Sequence, residues 1–182
     1  MHKIAHEAES AIYHKQLFEE LRTLTPRPTD ITHTTAIAAV EASVNCLASA
    51  IITITTSGKS AQMMSAYHPR CPILAVTRCG QTARQLHLHR GVVPVLYTGK
   101  HTTDWTEDVD GRINYALEVG HDCHILKTGA LVVIVTGWRA GSGYTNTIRV
   151  VSVPPPQQKV IVVSASTKVI EVNDEDARPG FY

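Results

Sequence analysis

Residues 55–60 combine four hydroxyl side chains, one glycine and one lysine in a single short stretch. The members are Thr55, Thr56, Ser57, Gly58, Lys59 and Ser60. They follow a β-branched run and precede helix-forming residues, which predicts a turn from the end of a strand into a helix. Such a turn presents free backbone N–H groups and the positive end of the helix dipole, and both favour phosphate. The hydroxyls would add donors, the glycine would allow close approach, and the lysine would add charge.

A nucleotide-binding P-loop is not predicted at this turn. Its GxxxxGK[ST] pattern needs a first glycine where this chain has Thr53. Serine and threonine are also favoured at helix N-caps, so an ordinary capping turn is the simpler alternative. The stretch by itself leaves both interpretations open.

Two further segments contain residues suited to an anion. Residues 137–146, GWRAGSGYTN, place three glycines beside an arginine and a tryptophan, a composition typical of backbone anion nests but equally of a hairpin loop. Trp105 and Arg112 are seven positions apart, so they would share one face of a helix that begins before Trp105. Arginine suits bidentate contact with phosphate, although a surface arginine and a half-buried tryptophan are the alternative.

The ten histidines and four cysteines indicate no metal or covalent site. The segments HLHR (87–90) and HDCHILK (121–127) lack convincing ligand geometry and a carboxylate cluster. The cysteines show no CxxC spacing, which favours reduced thiols. No Gly-x-Ser-x-Gly motif or Cys/His pairing suggests a nucleophile.

The elements that would position these residues alternate between strands and helices. Amphipathic or buried helices are predicted at 6–24 and 34–48, followed by strand–helix pairs that start with strands at 50–55, 72–77 and 92–97. This alternation is typical of right-handed βαβ units, so the fold class is α/β with a mostly parallel sheet. No helix separates the runs at 130–136 and 147–153, which predicts one antiparallel strand.

A single domain is expected over residues 1–154, because 182 residues are too few for two ordinary domains. Residues 155–182 open with a polyproline-like break and end in an acidic stretch, so we expect a poorly ordered tail, with a possible strand near 159–165. A hydrophobic fraction of 43%, a charged fraction of 18% and a net charge of +1 indicate a globular chain. Neither nucleic acid nor a membrane is an expected partner, and a cytoplasmic location is expected.

Several segments in order resemble the C-terminal domain of animal-type pyruvate kinase. The resemblance covers about residues 4–154, and its most specific motifs are AVTR…TARQ…HRG followed by TGWRxGSGxTNT. It implies a three-layer α/β domain with a mixed, mostly parallel five-stranded sheet. It also implies binding of the activator fructose 1,6-bisphosphate, and assembly of a homotetramer or association with other pyruvate kinase subunits.

The resemblance assigns residues to that activator site. The 6-phosphate loop falls on residues 55–60, Trp105 and Arg112 fall on the 1-phosphate contacts, and the glycine loop contributes Gly141, Ser142, Gly143 and Tyr144. Activator-responsive vertebrate members typically have lysine where this chain has Thr56, and arginine is common at Lys59. Thr56 lacks the charge that lysine would bring to the phosphate. Lys59 offers a single ammonium charge where arginine would offer a bidentate guanidinium.

The resemblance implies that catalysis resides elsewhere in the family's proteins. Phosphoryl transfer between phosphoenolpyruvate and ADP uses a (β/α)8 barrel with Mg²⁺ and K⁺, and a barrel alone needs about 200 to 250 residues. The present chain is therefore expected to hold no catalytic residue and no cofactor, and to be inactive by itself. The alternative is an interaction protein that pairs with intact pyruvate kinase subunits and whose activator site is vestigial.

Overall fold

The computed structural model describes residues 1–102, 104–139, 141–155, 158–163 and 166–171. The helices are α1 His2–Ser10, α2 His14–Leu24, α3 Ile31–Asn45, α4 Lys59–Ala66, α5 Gly80–Leu86 and α6 Trp105–Asp122. The strands are β1 Ala50–Ile54, β2 Ile73–Thr77, β3 Val92–Leu96, β4 Leu131–Gly137, β5 Thr145–Ser152, β6 Gln158–Val163 and β7 Ser166–Glu171.

Five strands form the central sheet in the order β3-β2-β1-β4-β5. The first four strands in this order run parallel, and β5 pairs antiparallel with β4. Every residue of β1 and β2 is buried, as expected for strands covered on both faces. The predicted α/β fold with a mixed, mostly parallel five-stranded sheet is confirmed, including its one antiparallel strand.

Helices cover both faces of the sheet and make three layers. One face packs against α6 through Val109, Ile113, Ala116 and Leu117. The opposite face packs against α3, α4 and α5, with Val40, Met64 and Leu86 among the buried side chains. The apolar side chains of one strand therefore alternate between two cores, which fixes the strand register.

The chain reverses its direction of travel between β1 and β4. From β1 it moves outward to β2 and β3 by way of α4 and α5, and then returns through α6 to place β4 on the other side of β1. In open α/β sheets, ligands bind at the carboxyl ends of strands where the order reverses in this way. A ligand site is therefore expected at the loops after β1 and β4.

The prediction of a single helix at 6–24 is wrong, because the structure divides this segment into α1 and α2 around residues 11–13. Phe18 of α2 is 2% exposed and packs edge-on against Tyr67, with the ring centroids 6.0 Å apart. The described side chains of α1 are exposed. The contact of Phe18 with Tyr67 thus orients α2 but not α1. The chain bends before Tyr13, whose backbone is not helical.

Helix α3 begins three residues before the predicted start. Asp30 caps it, since its carboxylate accepts a hydrogen bond from the backbone N–H of His33 at 2.6 Å. The remaining strands and helices agree with the predicted segments to within a few residues.

The segment after Ser152 contains a two-stranded hairpin of β6 and β7. It includes the strand expected near 159–165. Residues 172–182, which make up most of the predicted acidic stretch, lie outside the described part of the chain. The boundary at Pro154 stays a prediction.

Candidate functional site

The loops that follow β1 and β4 enclose an open pocket of about 450 Å³, part of it continuous with solvent. Because β1 and β4 are parallel neighbours, their carboxyl ends lie at the same edge of the sheet. The lining residues are Thr32, Ile54, Thr55, Thr56, Ser57, Lys59, Ser60, Trp105, Gly137, Arg139, Gly141, Ser142, Gly143 and Thr145. All the predicted site residues except Gly58, Arg112 and Tyr144 are in this set.

The turn into α4 has the geometry expected of an anion-binding helix N-terminus. Gly58 is the N-cap and adopts φ +84°, a left-handed conformation that favours glycine. Its backbone N–H donates to the hydroxyl of Thr55 at 2.9 Å, which closes the turn. The hydroxyl of Thr82 on α5 donates to the carbonyl of Thr56 at 3.1 Å and holds the turn from outside.

Gly58 does not line the pocket, but it supports the residues that do. A Cβ at this position would lie 3.2 Å from Leu86 and 3.3 Å from Thr82. Ser60, which lines the pocket, is buried and lies 3.3 Å from the hydroxyl of Thr53 at the end of β1. The turn is therefore fixed by its neighbours before any ligand is present.

Lys59 is one of two cationic side chains in the described lining of the pocket. Its Nζ lies 3.0 Å from the Oδ2 atom of Asp30, and both side chains are about half exposed. The hydrogen bond from the His33 backbone lowers the pKa of Asp30, and the hydrogen bond from Lys59 lowers it further. An exposed ion pair contributes little to stability, so a ligand phosphate can replace Asp30 as the partner of Lys59.

Arg139 supplies the other positive charge, and it was not among the predicted site residues. Its guanidinium lies 3.8 Å from the ring centroid of Tyr144 and 4.7 Å from that of Trp138. These contacts, together with positive φ angles at Gly141 and Gly143, shape the glycine loop. Tyr144 thus acts on the pocket through Arg139 and does not line it.

The sequence contained a signal for Arg139 that the predicted site did not use. The arginine stands between the tryptophan and the glycines of GWRAGSG, and a hairpin loop can turn such a cation toward the same ligand as its glycines. Thr32, Ile54, Gly137 and Thr145 were missed as well. Thr32 comes from α3, and only the tertiary fold brings this helix to the pocket.

Trp105 connects α6 to the glycine loop. Its indole N–H donates to the carbonyl of Gly137 at 3.2 Å, and its ring lines the pocket. The guanidinium of Arg112 lies 5.9 Å from the same ring. Trp105 and Arg112 therefore share one face of α6, as their spacing predicts.

Arg112 itself is not among the described lining residues. Its side chain is 9% exposed and forms an ion pair with Asp108, one turn earlier on α6. Burial lowers the pKa of Arg112, and the negative charge of Asp108 opposes this effect. The structure thus places this predicted phosphate ligand beside the pocket, in an internal pair.

The described pocket lining contains two cations and seven hydroxyl groups but no carboxylate or histidine. Such a lining suits a hydroxylated anion and offers neither a general base nor a nucleophile of raised reactivity. Within the part of the chain that the structure describes, no group of three His, Cys, Asp or Glu side chains could hold a metal ion. The described helices also include none with the length and apolar content needed to cross a bilayer.

Comparison with known proteins finds similarity to pyruvate kinases. The family model described as pyruvate kinase, alpha/beta domain, matches residues 33–151. The protein of Rattus norvegicus named pyruvate kinase PKLR is 55% identical over 152 residues, which are 84% of this chain and 26% of the relative. The Homo sapiens protein of the same name is 54% identical over 152 residues, with the same coverage of both chains.

A fungal relative is also similar. Pyruvate kinase 1 of Saccharomyces cerevisiae is 42% identical over 146 residues, which are 80% of this chain and 29% of the relative. The chain therefore spans between a quarter and a third of the length of these curated relatives.

Proposed function

Because the chain belongs to the pyruvate kinase family and matches that family's α/β domain, we propose that it is a regulatory domain whose pocket binds a sugar bisphosphate such as fructose 1,6-bisphosphate. In the whole protein, this domain would regulate the reaction of phosphoenolpyruvate and ADP to pyruvate and ATP and would take part in subunit assembly. The proposal also places the protein in glycolysis and in the cytoplasm.

The pocket between the loops after β1 and β4 is the observation that carries this proposal. The turn at residues 55–60 and the first N–H groups of α4 suit one phosphate, as in other helix N-termini that bind anions. Arg139 and the glycine loop also line the pocket and suit a second anionic group. The hydroxyl groups of the lining suit the hydroxyls of a sugar ring.

A tryptophan titration tests the proposal. Trp105 lines the pocket, so the variant Trp138→Phe leaves one tryptophan that reports on the site. We expect its fluorescence to change saturably with fructose 1,6-bisphosphate. In the same background, Lys59→Ala and Arg139→Ala should each weaken binding about ten- to a hundredfold, the usual effect of losing one charge-assisted contact.

Lys127→Ala is the matched control for charge. Lys127 is exposed and precedes β4, at the sheet edge opposite the pocket. Its removal should leave the affinity unchanged. Equal loss in all three variants would mean that general charge attraction, and not this pocket, binds the ligand.

A second candidate function is an interaction protein that pairs with intact pyruvate kinase subunits while its own effector site is vestigial. The buried pair of Arg112 with Asp108 favours it, since this cation already has a carboxylate partner. Strand β5 also lies at the edge of the sheet, where another chain could add a strand. Absence of bisphosphate binding together with co-purification of full-length subunits would support this candidate.

A further inference from the structure

A buried ionic triad lies beside the pocket. Asp108, with a side chain that is 3% exposed, stands between two arginines. Its Oδ1 atom accepts from Arg78 at 2.6 Å, and its Oδ2 atom pairs with Arg112. One carboxylate thus faces two guanidinium groups, so the triad carries an excess positive charge.

The two arginines face different parts of the molecule. Arg112 lies over Trp105, whose ring lines the pocket. Arg78 follows β2 and donates to the backbone carbonyls of Gly99 at 2.6 Å and Lys100 at 2.9 Å, and its guanidinium lies 4.7 Å from the Tyr97 ring. Arg78 is therefore held by four groups, whereas the described contacts of Arg112 are with Asp108 and the Trp105 ring.

Arg112 has donor capacity that Asp108 does not use. Its Nε atom, like that of Arg78, is buried, and neither Nε has a hydrogen-bond partner among the described residues. A guanidinium has five N–H donors in a planar fork, and buried donors are usually satisfied. If Arg112 turned toward the Trp105 side, it would therefore have unused donors for a second anion.

Building on the proposed function, we propose that Asp108 and one phosphate of the bound ligand compete for Arg112, so that Asp108 restrains the site when the ligand is absent. Arg78 makes this exchange feasible. When Arg112 turns to the phosphate, Asp108 keeps its hydrogen bond to Arg78 and is not left as an unpaired buried carboxylate. Asp108 is thus a positioning residue that acts on the ligand through Arg112.

The competition gives the two partners of Arg112 opposite effects on affinity. Asp108→Asn removes the competing charge with little change of shape, so the affinity for fructose 1,6-bisphosphate should rise about three- to tenfold, as expected for the loss of one competing charged contact. Arg78→Met leaves Asp108 with Arg112 as its remaining arginine, so the affinity should fall. A merely structural role of the triad would make both variants weaker binders.

Calorimetric titration of the full 182-residue chain measures these effects. Circular dichroism and thermal unfolding establish that each variant is folded before it is compared. Asp108→Ser and Arg78→Gln are second variants with the same expected directions, in case the first substitutions prevent folding. Changes in the same direction for both positions would overturn the proposal.

A measurement without ligand separates this inference from the proposed function. Phenylglyoxal modifies accessible guanidinium groups, and peptide mapping by mass spectrometry reports each arginine separately. Arg112 should react slowly in the wild type and several-fold faster in Asp108→Asn, while the exposed Arg139 reacts at the same rate in both. Unchanged protection of Arg112 in Asp108→Asn would show that Asp108 does not restrain it, even if the wild type binds no bisphosphate.

Discussion

Gly58 carries two separate constraints at the turn into α4. Its φ of +84° lies in the left-handed region, and a Cβ would also lie 3.2 Å from Leu86 and 3.3 Å from Thr82. Gly58→Ala should therefore lower the free energy of unfolding by more than the roughly 1 to 2 kcal/mol typical of a left-handed non-glycine residue. Urea denaturation measures the change.

Gly129→Ala is the matched control for Gly58→Ala. Gly129 has φ +80°, but an added Cβ would meet nothing within 4 Å. The difference between the two variants isolates the crowding by Leu86 and Thr82. Equal destabilisation would show that these side chains move aside and that the turn is not fixed by α5.

Asp30 is expected to make the stability of the fold depend on pH. Its pKa is lowered from the ordinary 3.8, mainly by the His33 backbone hydrogen bond and then by Lys59. A carboxyl group with a depressed folded-state pKa stabilises the fold above its unfolded pKa, and the effect is lost as the pH falls through the lower folded value. The melting temperature of the wild type should therefore exceed that of Asp30→Asn near neutral pH.

The difference between these two melting temperatures should shrink below a pH of about 4, where the unfolded carboxyl group begins to bind its proton. Asparagine also caps helices well, so the comparison isolates the charge and not the cap. Thermal unfolding from neutral to acid pH measures it. A difference that stays constant over this range would contradict a lowered pKa of Asp30 in the folded protein.

At the scale of elements, the sequence was sufficient where local pattern decides the structure. The continuous β-branched run of β1 indicates a strand buried on both faces, and the glycine and hydroxyl residues after it indicate the turn into α4. The spacing of Trp105 and Arg112 indicates a shared face of α6. These features depend on residues that are close together in the chain.

The position of the Arg112 side chain could not be read from the sequence in the same way. It depends on Asp108, which in turn is held by Arg78, a residue thirty positions earlier and on the loop after β2. Likewise, the packing of α2 depends on the contact of Phe18 with Tyr67, which is 49 positions away in the chain. Periodicity shows that a side chain faces inward but not which distant partner it meets.

A hydrogen bond from Trp105 connects α6 to the glycine loop. Trp105→Phe keeps an aromatic ring but removes the donor to the carbonyl of Gly137. We expect a loss of about 1 kcal/mol of stability, the usual net value of one such bond, and faster amide exchange in residues 137–144. Denaturation and hydrogen exchange measure the two effects.

Trp138→Phe is the control for this substitution, because Trp138 is 60% exposed and contacts the side chains of Arg139 and Tyr144. Its effect on stability should be smaller. Faster exchange after Trp138→Phe but not after Trp105→Phe would mean that the loop is held by its own aromatic cluster and not by α6.

At the scale of the whole molecule, the proposed binding pocket lies where the sheet order reverses. The sheet order reverses between β1 and β4, and the described lining of the pocket there has hydroxyls and cations but no acid or base. We therefore expect the 182-residue chain to show no turnover of phosphoenolpyruvate and ADP in a coupled assay with Mg²⁺ and K⁺. Robust turnover would contradict a purely regulatory role.

The most direct test is calorimetric titration of the wild-type chain with fructose 1,6-bisphosphate and, separately, with fructose 6-phosphate. We expect one bisphosphate site per chain in the micromolar range, and weaker binding of the monophosphate by about ten- to a hundredfold, because one set of charged contacts is lost. Equal affinity for both sugars, or no heat of binding with either, would contradict the proposal that this pocket binds a sugar bisphosphate.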